Sequence, residues 1–174
     1  RGAGGKTASV AISGATPATS ASIALAGNGT APGISVSEPQ AAFGSHAVGT
    51  TAPTKRIVVT NTGSATLTLS PLTLTGTDAS EFSQSNDCGS TLAPAATCAI
   101  TLGFAPKSAG AKSASVNIPS NAGSTPLTLA LSGTGVAPSA ALSGSTIYFG
   151  EQDAGTVASK SLTLRNDGNA TLQI

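Results

Sequence analysis

Tryptophan and methionine are absent from this chain of 174 residues, and tyrosine and histidine occur once each. Each absence removes a class of function. With His46 as the single histidine, a Ser-His-Asp triad or a histidine-rich metal site has almost nothing to be built from. No serine sits in a GxSxG elbow. With aromatics at 3%, a net charge of +1 and Lys55-Arg56 as the only adjacent basic pair, the chain lacks the basic face and stacking rings that nucleic acids require. Charged residues amount to 9%, far below the usual quarter or so, so Ser, Thr, Asn and Gly must supply most of the solvent-facing polarity. No apolar run approaches the roughly 20 residues needed to span a bilayer. The opening Arg1-Gly2-Ala3 carries no apolar signal core, and the sequence reads as an excised piece of a longer polypeptide.

What is present is repetition. Lys6, Val10, Ile12, Gly27 and Gly29 return 106 positions later as Lys112, Val116, Ile118, Gly133 and Gly135, and Phe43-Gly44 returns as Phe149-Gly150. Past Gly49 and Gly155 the offset falls by one, so that Asn61-Thr62-Gly63 matches Asn166-Asp167-Gly168. A period of this length suits a whole folding domain. The expected organisation is the C-terminal part of one domain in residues 1–31, a complete domain in 34–137, and the N-terminal part of a third in 139–174.

Within the period, apolar residues alternate. Ile57 and Val59, then Leu67, Leu69, Leu72 and Leu74, then Cys98, Ile100, Leu102 and Phe104, then Val116 and Ile118, then Leu127, Leu129 and Leu131 each mark a strand with one buried face. Seven to eight short strands in about a hundred residues predict an all-β fold of tandem immunoglobulin-like sandwiches joined end to end. Asp78-Ala79-Ser80-Glu81-Phe82 allows one short helical turn capped by Asp78 or Thr77. Asn61-Thr62-Gly63 reads as a turn in which glycine accepts a positive φ. Ala31-Pro32-Gly33 and Ala137-Pro138 fall at equivalent joints, where proline favours extended backbone. Short joints of this kind predict a stiff, beaded rod.

Cys88 and Cys98 are separated by nine residues, too far for a CxxC redox pair and without partners for zinc. A disulfide closing a short loop accounts for them better than two free thiols on neighbouring strands, and it favours an oxidising compartment. The acids Asp78, Glu81 and Asp87 have no calcium-loop spacing and read as caps and solvated turns. His46 reads as an exposed loop residue, with Gln152 as its counterpart. Gly27-Asn28-Gly29 and Gly133-Thr134-Gly135 lack the following helix of a phosphate loop. Asn28 and Asn169 begin glycosylation sequons.

These motifs, with Val59-Thr60-Asn61-Thr62-Gly63, Leu74-Thr75-Gly76-Thr77-Asp78, Cys88-Gly89, Phe104-Ala105-Pro106 and Leu131-Ser132-Gly133-Thr134-Gly135, resemble the bacterial choice-of-anchor D repeats. Those are relatives of the hydin-type, ASH-like immunoglobulin domain. The resemblance implies tandem sandwiches in large exported, often surface-attached bacterial proteins, with no shared activity. The functional expectation is a structural, non-catalytic segment of an extracellular stalk or filament, without cofactor or metal. Its expected partners are neighbouring copies of the same repeat and other filament subunits, with neither nucleic acid nor membrane insertion in this segment. The alternatives are an adhesin or carbohydrate-binding module, which the scarcity of aromatics disfavours, and a spacer within a larger secreted enzyme.

Overall fold

In the computed structural model, which describes residues 3–13 and 20–174, the alternating stripes become strands. In chain order these are β1 (Gly4–Ser13), β2 (Ser20–Gly29), β3 (Ile34–Val36), β4 (Gln40–Ala47), β5 (Lys55–Asn61), β6 (Leu67–Thr68) and β7 (Thr73–Thr75). They continue as β8 (Phe82–Asn86), β9 (Thr91–Leu92), β10 (Thr97–Phe104), β11 (Gly110–Ile118), β12 (Leu127–Val136), β13 (Ala140–Leu142) and β14 (Leu164–Asn166). A single 3-10 turn at Ala79–Glu81 is the only helical element among the described residues. None is long and apolar enough to cross a membrane.

Two four-stranded sheets make the middle sandwich, ordered β3-β5-β10-β8 and β4-β12-β11-β7. Every pairing within them is antiparallel except that of β12 with β4, which run parallel. β6 and β9 form a small separate ladder. The fold is therefore all-β and immunoglobulin-like, with eight strands in its two sheets.

Because β10 is central, it is apolar on its inner face and small on its outer one. Cys98, Ile100, Leu102 and Phe104 are buried, and so are Ala99 and Gly103 between them. Across the layer, Val116, Ile118, Leu129 and Leu131 close the core. Pairing Val116 with Leu129 and Ala114 with Leu131 sets one face of β11 and β12 inward. A slip of one residue would expose the whole stripe, so burial fixes the register. At one end Phe104 stacks on Phe82 with ring centroids 4.8 Å apart, and Phe43 packs on both. Ala105-Pro106 follows β10 directly, since proline has no amide hydrogen for a ladder.

Asp78 holds the position before the 3-10 turn but does not cap it. Its Oδ2 instead accepts the Ser113 N–H at 2.9 Å, reaching across to β11. A turn this short leaves few free N–H groups to satisfy, so the neighbouring strand claims the carboxylate.

On either side of the sandwich lie two-stranded ladders, β1 with β2 and β13 with β14. Their local devices match those of the middle sandwich. Gly44 and Gly150 have φ of 75° and 72°, and Gly49 and Gly155 have φ of 82° and 86°. Ser37 Oγ accepts the Val58 N–H at 3.0 Å, as Ser143 Oγ accepts that of Thr163 at 3.0 Å.

Gly133 shows how tightly the aromatic end is filled, because a Cβ added there would lie 2.5 Å from Cε1 of Phe104. Phe104 is itself clamped by two rings and has nowhere to move. Gly133→Ala is expected to destabilise the middle sandwich by about 1–3 kcal/mol in urea denaturation. Gly27→Ala, at the equivalent position in β2 with nothing within 4 Å, is expected to leave it unchanged.

Candidate functional site

The residues that the structure treats most specifically are those around the two joints. Asn61, the last residue of β5, is completely buried. A buried amide must find partners for its oxygen and its NH2 group. Its Nδ2 donates to the carbonyls of Ala65 and Leu92 at 2.9 and 3.0 Å. Its Oδ1 accepts the N–H of Gly63 at 2.9 Å and that of Gly33, in the entering linker, at 3.4 Å. Backbone bonds complete the grip: Thr62 N–H donates to Gly33 O at 3.1 Å, and Ser64 N–H to Ala31 O at 2.9 Å. The segment Ala31-Pro32-Gly33 is thereby clasped by the turn that follows β5.

The second joint repeats these bonds except the one from Asn61 to Leu92. Asn166 Nδ2 donates to Ala170 O at 2.7 Å, and its Oδ1 accepts the N–H groups of Gly168 and Ser139 at 3.0 and 3.1 Å. Asp167 N–H donates to Ser139 O at 2.7 Å and Asn169 N–H to Ala137 O at 3.0 Å. Asn169 stands where Ser64 Oγ accepts the Ala31 N–H at 3.3 Å, and it adds one bond more. Its Oδ1 accepts the Ala137 N–H at 2.8 Å, and its Nδ2 donates to Gly135 O at the end of β12, at 3.1 Å. The side chain of this sequon asparagine is thus already committed to the joint.

The glycine in each turn has a reason other than the expected one. Gly63 is not among the glycines with positive φ. A Cβ at Gly63 would overlap the Ala31 carbonyl oxygen and the Gly33 nitrogen, and one at Gly168 would overlap Ala137 O and Ser139 N. Close backbone approach, rather than turn handedness, selects glycine at both sites.

The remaining sequence candidates hold structural positions. Cys88 and Cys98 form a disulfide with Cα atoms 5.0 Å apart. It ties the exit of β8 to the start of β10, and a loop of this size contributes roughly 2–3 kcal/mol on a chain-entropy argument. Asp87 beside it accepts the Ala99 N–H at 2.6 Å. Asp87 and the two sulfurs form a cluster of candidate metal ligands, but both sulfurs are consumed by the disulfide.

His46 is not the exposed loop residue that the sequence suggests: it lies half-buried on β4, directs Nε2 to the Phe43 carbonyl at 3.0 Å and sets its ring edge-on to Phe104. Gln152 makes the same contact with Phe149 O at 2.8 Å. The position requires a donor and has no need of an imidazole.

Glu81 departs from expectation. It is buried, not solvated, with Lys112 Nζ at 3.1 Å from Oε1 and the Lys107 N–H donating to Oε2 at 3.1 Å. Lys112 also donates to Ser108 Oγ at 2.6 Å and lies 3.8 Å from Asp78. Full pairing is what makes two buried charges tolerable. In the sequence Lys112 stands out only as a repeated lysine. Its recurrence with Lys6 amid apolar strand residues was the available signal, but the acids lie 31 and 34 positions away.

A family model described as Cep192 domain 4 matches residues 31–136. Among solved structures, a protein of unknown function from Porphyromonas gingivalis W83 aligns at 12% identity with a TM-score of 0.51, covering 76% of this chain and 66% of that one. The secreted serine protease VesC from Vibrio cholerae aligns at 18% identity and TM-score 0.49, over 62% of this chain and 24% of the protease. The ASH/PapD-like domain 7 of human CEP192 aligns at 17% identity and TM-score 0.45, over 59% of this chain and 84% of that domain. The chain therefore spans about two thirds of the first of these structures and a quarter of the second. At such identities the likeness is one of fold. No curated protein matches the sequence.

Asn61→Ala takes the amide donor from the buried Leu92 carbonyl and the acceptor from the half-buried Gly63 N–H, and a buried unpaired group costs about 1–3 kcal/mol. Equilibrium unfolding is expected to show a loss of at least about 2 kcal/mol. Asn166→Ala, at an exposed position, is expected to leave the unfolding of the middle sandwich unchanged.

Proposed function

This chain belongs to the Cep192 domain 4 family, and on that premise we propose that it is a structural, non-catalytic segment of an exported stalk or filament. Its middle sandwich is an immunoglobulin-like domain of the ASH/PapD-like kind. The finer assignment, in our reading, is to tandem repeats of the bacterial choice-of-anchor D type. Residues 1–31, 34–137 and 139–174 then belong to three successive domains of an array.

The observation that carries this reading is the duplicated clasp. Asn61 and Asn166 seize the linker before them through matching bonds, at positions 105 residues apart. A flexible tether needs no such grip, and Gly/Ser-rich linkers make none. A joint whose linker is hydrogen-bonded into the next domain, and whose Asn169 reaches back to β12, resists bending. The disulfide supports an oxidising, extracellular setting. The surface adds to the picture, being polar mainly through uncharged groups and so little affected by salt.

Antibodies raised against residues 34–137 are expected to label intact cells of the source organism and to decorate thin, beaded projections in electron micrographs. Labelling only after permeabilisation, or on compact particles, would contradict the stalk.

A further inference from the structure

Lys112 takes a place in its strand that apolar residues otherwise hold. It lies on β11 in step with Ala114, Val116 and Ile118, all of which are buried. Across the ladder it pairs with Gly133, the glycine packed against Phe104. A partner without a side chain leaves the inner face of that pair to the lysine stem. Lys6 opposite Gly27 repeats the arrangement in β1 and β2.

Three oxygens meet the Lys112 ammonium: Ser108 Oγ at 2.6 Å, Glu81 Oε1 at 3.1 Å and Asp78 Oδ1 at 3.8 Å. The side chains of Lys112 and Glu81 are each 9% exposed and that of Asp78 is 22% exposed. Asp78 is itself fixed against β11. Its N–H donates to Ser113 O at 3.3 Å, and its Oδ2 accepts the Ser113 N–H at 2.9 Å. Gly76, with φ of 118°, lets the preceding loop come so near that a Cβ there would lie 2.9 Å from Cα of Ala114. A buried ion pair gains little over apolar packing. This one adds chemistry, because an amine and a carboxyl group are held together beside a second carboxylate.

We infer that Lys112 and Asp78 condense into an intramolecular isopeptide bond, with Glu81 as the proton carrier. Glu81 takes a proton from the Lys112 ammonium and passes it to Asp78 Oδ1. The free amine attacks Cγ of Asp78, and negative charge gathers on Oδ2, where the Ser113 N–H already donates. Glu81 then takes a second proton from the nitrogen and delivers it to Oδ1, the Cγ–Oδ1 bond breaks, and water leaves. One Nζ–Cγ bond replaces one C–O bond, and Glu81 ends as the carboxylate it began. Its 3.1 Å contact with Nζ is within reach for proton transfer. Holding both partners in one fold supplies an effective concentration of about 10⁵–10⁸ M. The product is a neutral amide where an ion pair stood, and Glu81 keeps the Lys107 N–H and the Ser108 hydroxyl as donors. The inference concerns the interior of one domain and stands apart from the stalk reading.

Mass spectrometry of the whole chain, with its disulfide reduced, tests it. The expected mass is one water below that of the 16.6 kDa sequence. Trypsin is expected to spare Lys112 and to release peptide 57–107 joined to peptide 108–160. Asp78→Asn is expected to give the same joined product, losing ammonia in place of water. Glu81→Gln is expected to keep the full mass of its sequence, with protection of the β10 amides showing that it is folded. A wild-type chain of full mass, cut after Lys112, overturns the inference whether or not any variant folds. So does a water loss confined to peptide 57–107, which marks cyclisation of Asp78 onto its own backbone. The joined product in folded Glu81→Gln overturns the part given to Glu81.

Discussion

One buried side-chain amide couples the entry of the chain to the interior of the sandwich. Asn61 has its oxygen shared between the turn after β5 and the linker before β3, and its nitrogen between two carbonyls of the domain itself. Removing either linker or turn would leave part of this fully buried amide unpaired, a cost of about 1–3 kcal/mol per group. Sandwich and linker are therefore not independent. The extended path of Ala31-Pro32-Gly33 is a consequence of folding the middle domain, and Gly63 lacks a side chain so that the linker can lie against it.

Around that joint the energetics are those of a small, tightly filled β-sandwich. The central strand β10 buries residues on both faces, and aliphatic stripes from β5, β11 and β12 meet it. Three phenylalanines close one end. Beside them Lys112, Glu81 and Asp78 bind the 3-10 turn to β11. The disulfide fastens the loop between β8 and β10. Each of these restrains a place where the chain crosses between sheets or leaves a strand, the places where a sandwich would otherwise fray. Such reinforcement suits a domain whose work is to keep its shape.

Much of this was legible in the residues. Period-two stripes located β5, β10, β11 and β12, because a strand with one wet face must alternate. The spacing of Cys88 and Cys98 pointed to a loop bridge. Proline at 106 marked the end of β10. Other features were hidden because their causes are distant in sequence. Glu81 reads as a surface acid until Lys112 is brought to it by the pairing of β11 with its neighbours. Asp78 reads as a helix cap until Ser113 arrives. Gly63 reads as a turn glycine, although its neighbour in space is a linker thirty residues earlier. The role of His46 becomes plain only beside Gln152, which shows that a donor to the Phe43 carbonyl is all the site requires.

Whether the linkers are held is read out by amide hydrogen exchange. If the clasps are formed, the Gly33 and Gly63 amides exchange as slowly as those at the end of β5, and the Ser139 and Gly168 amides are protected well above unstructured-chain rates. If instead these four amides exchange at the rates of a free peptide while β5 and β10 stay protected, the linkers are loose tethers and the clasps do not form.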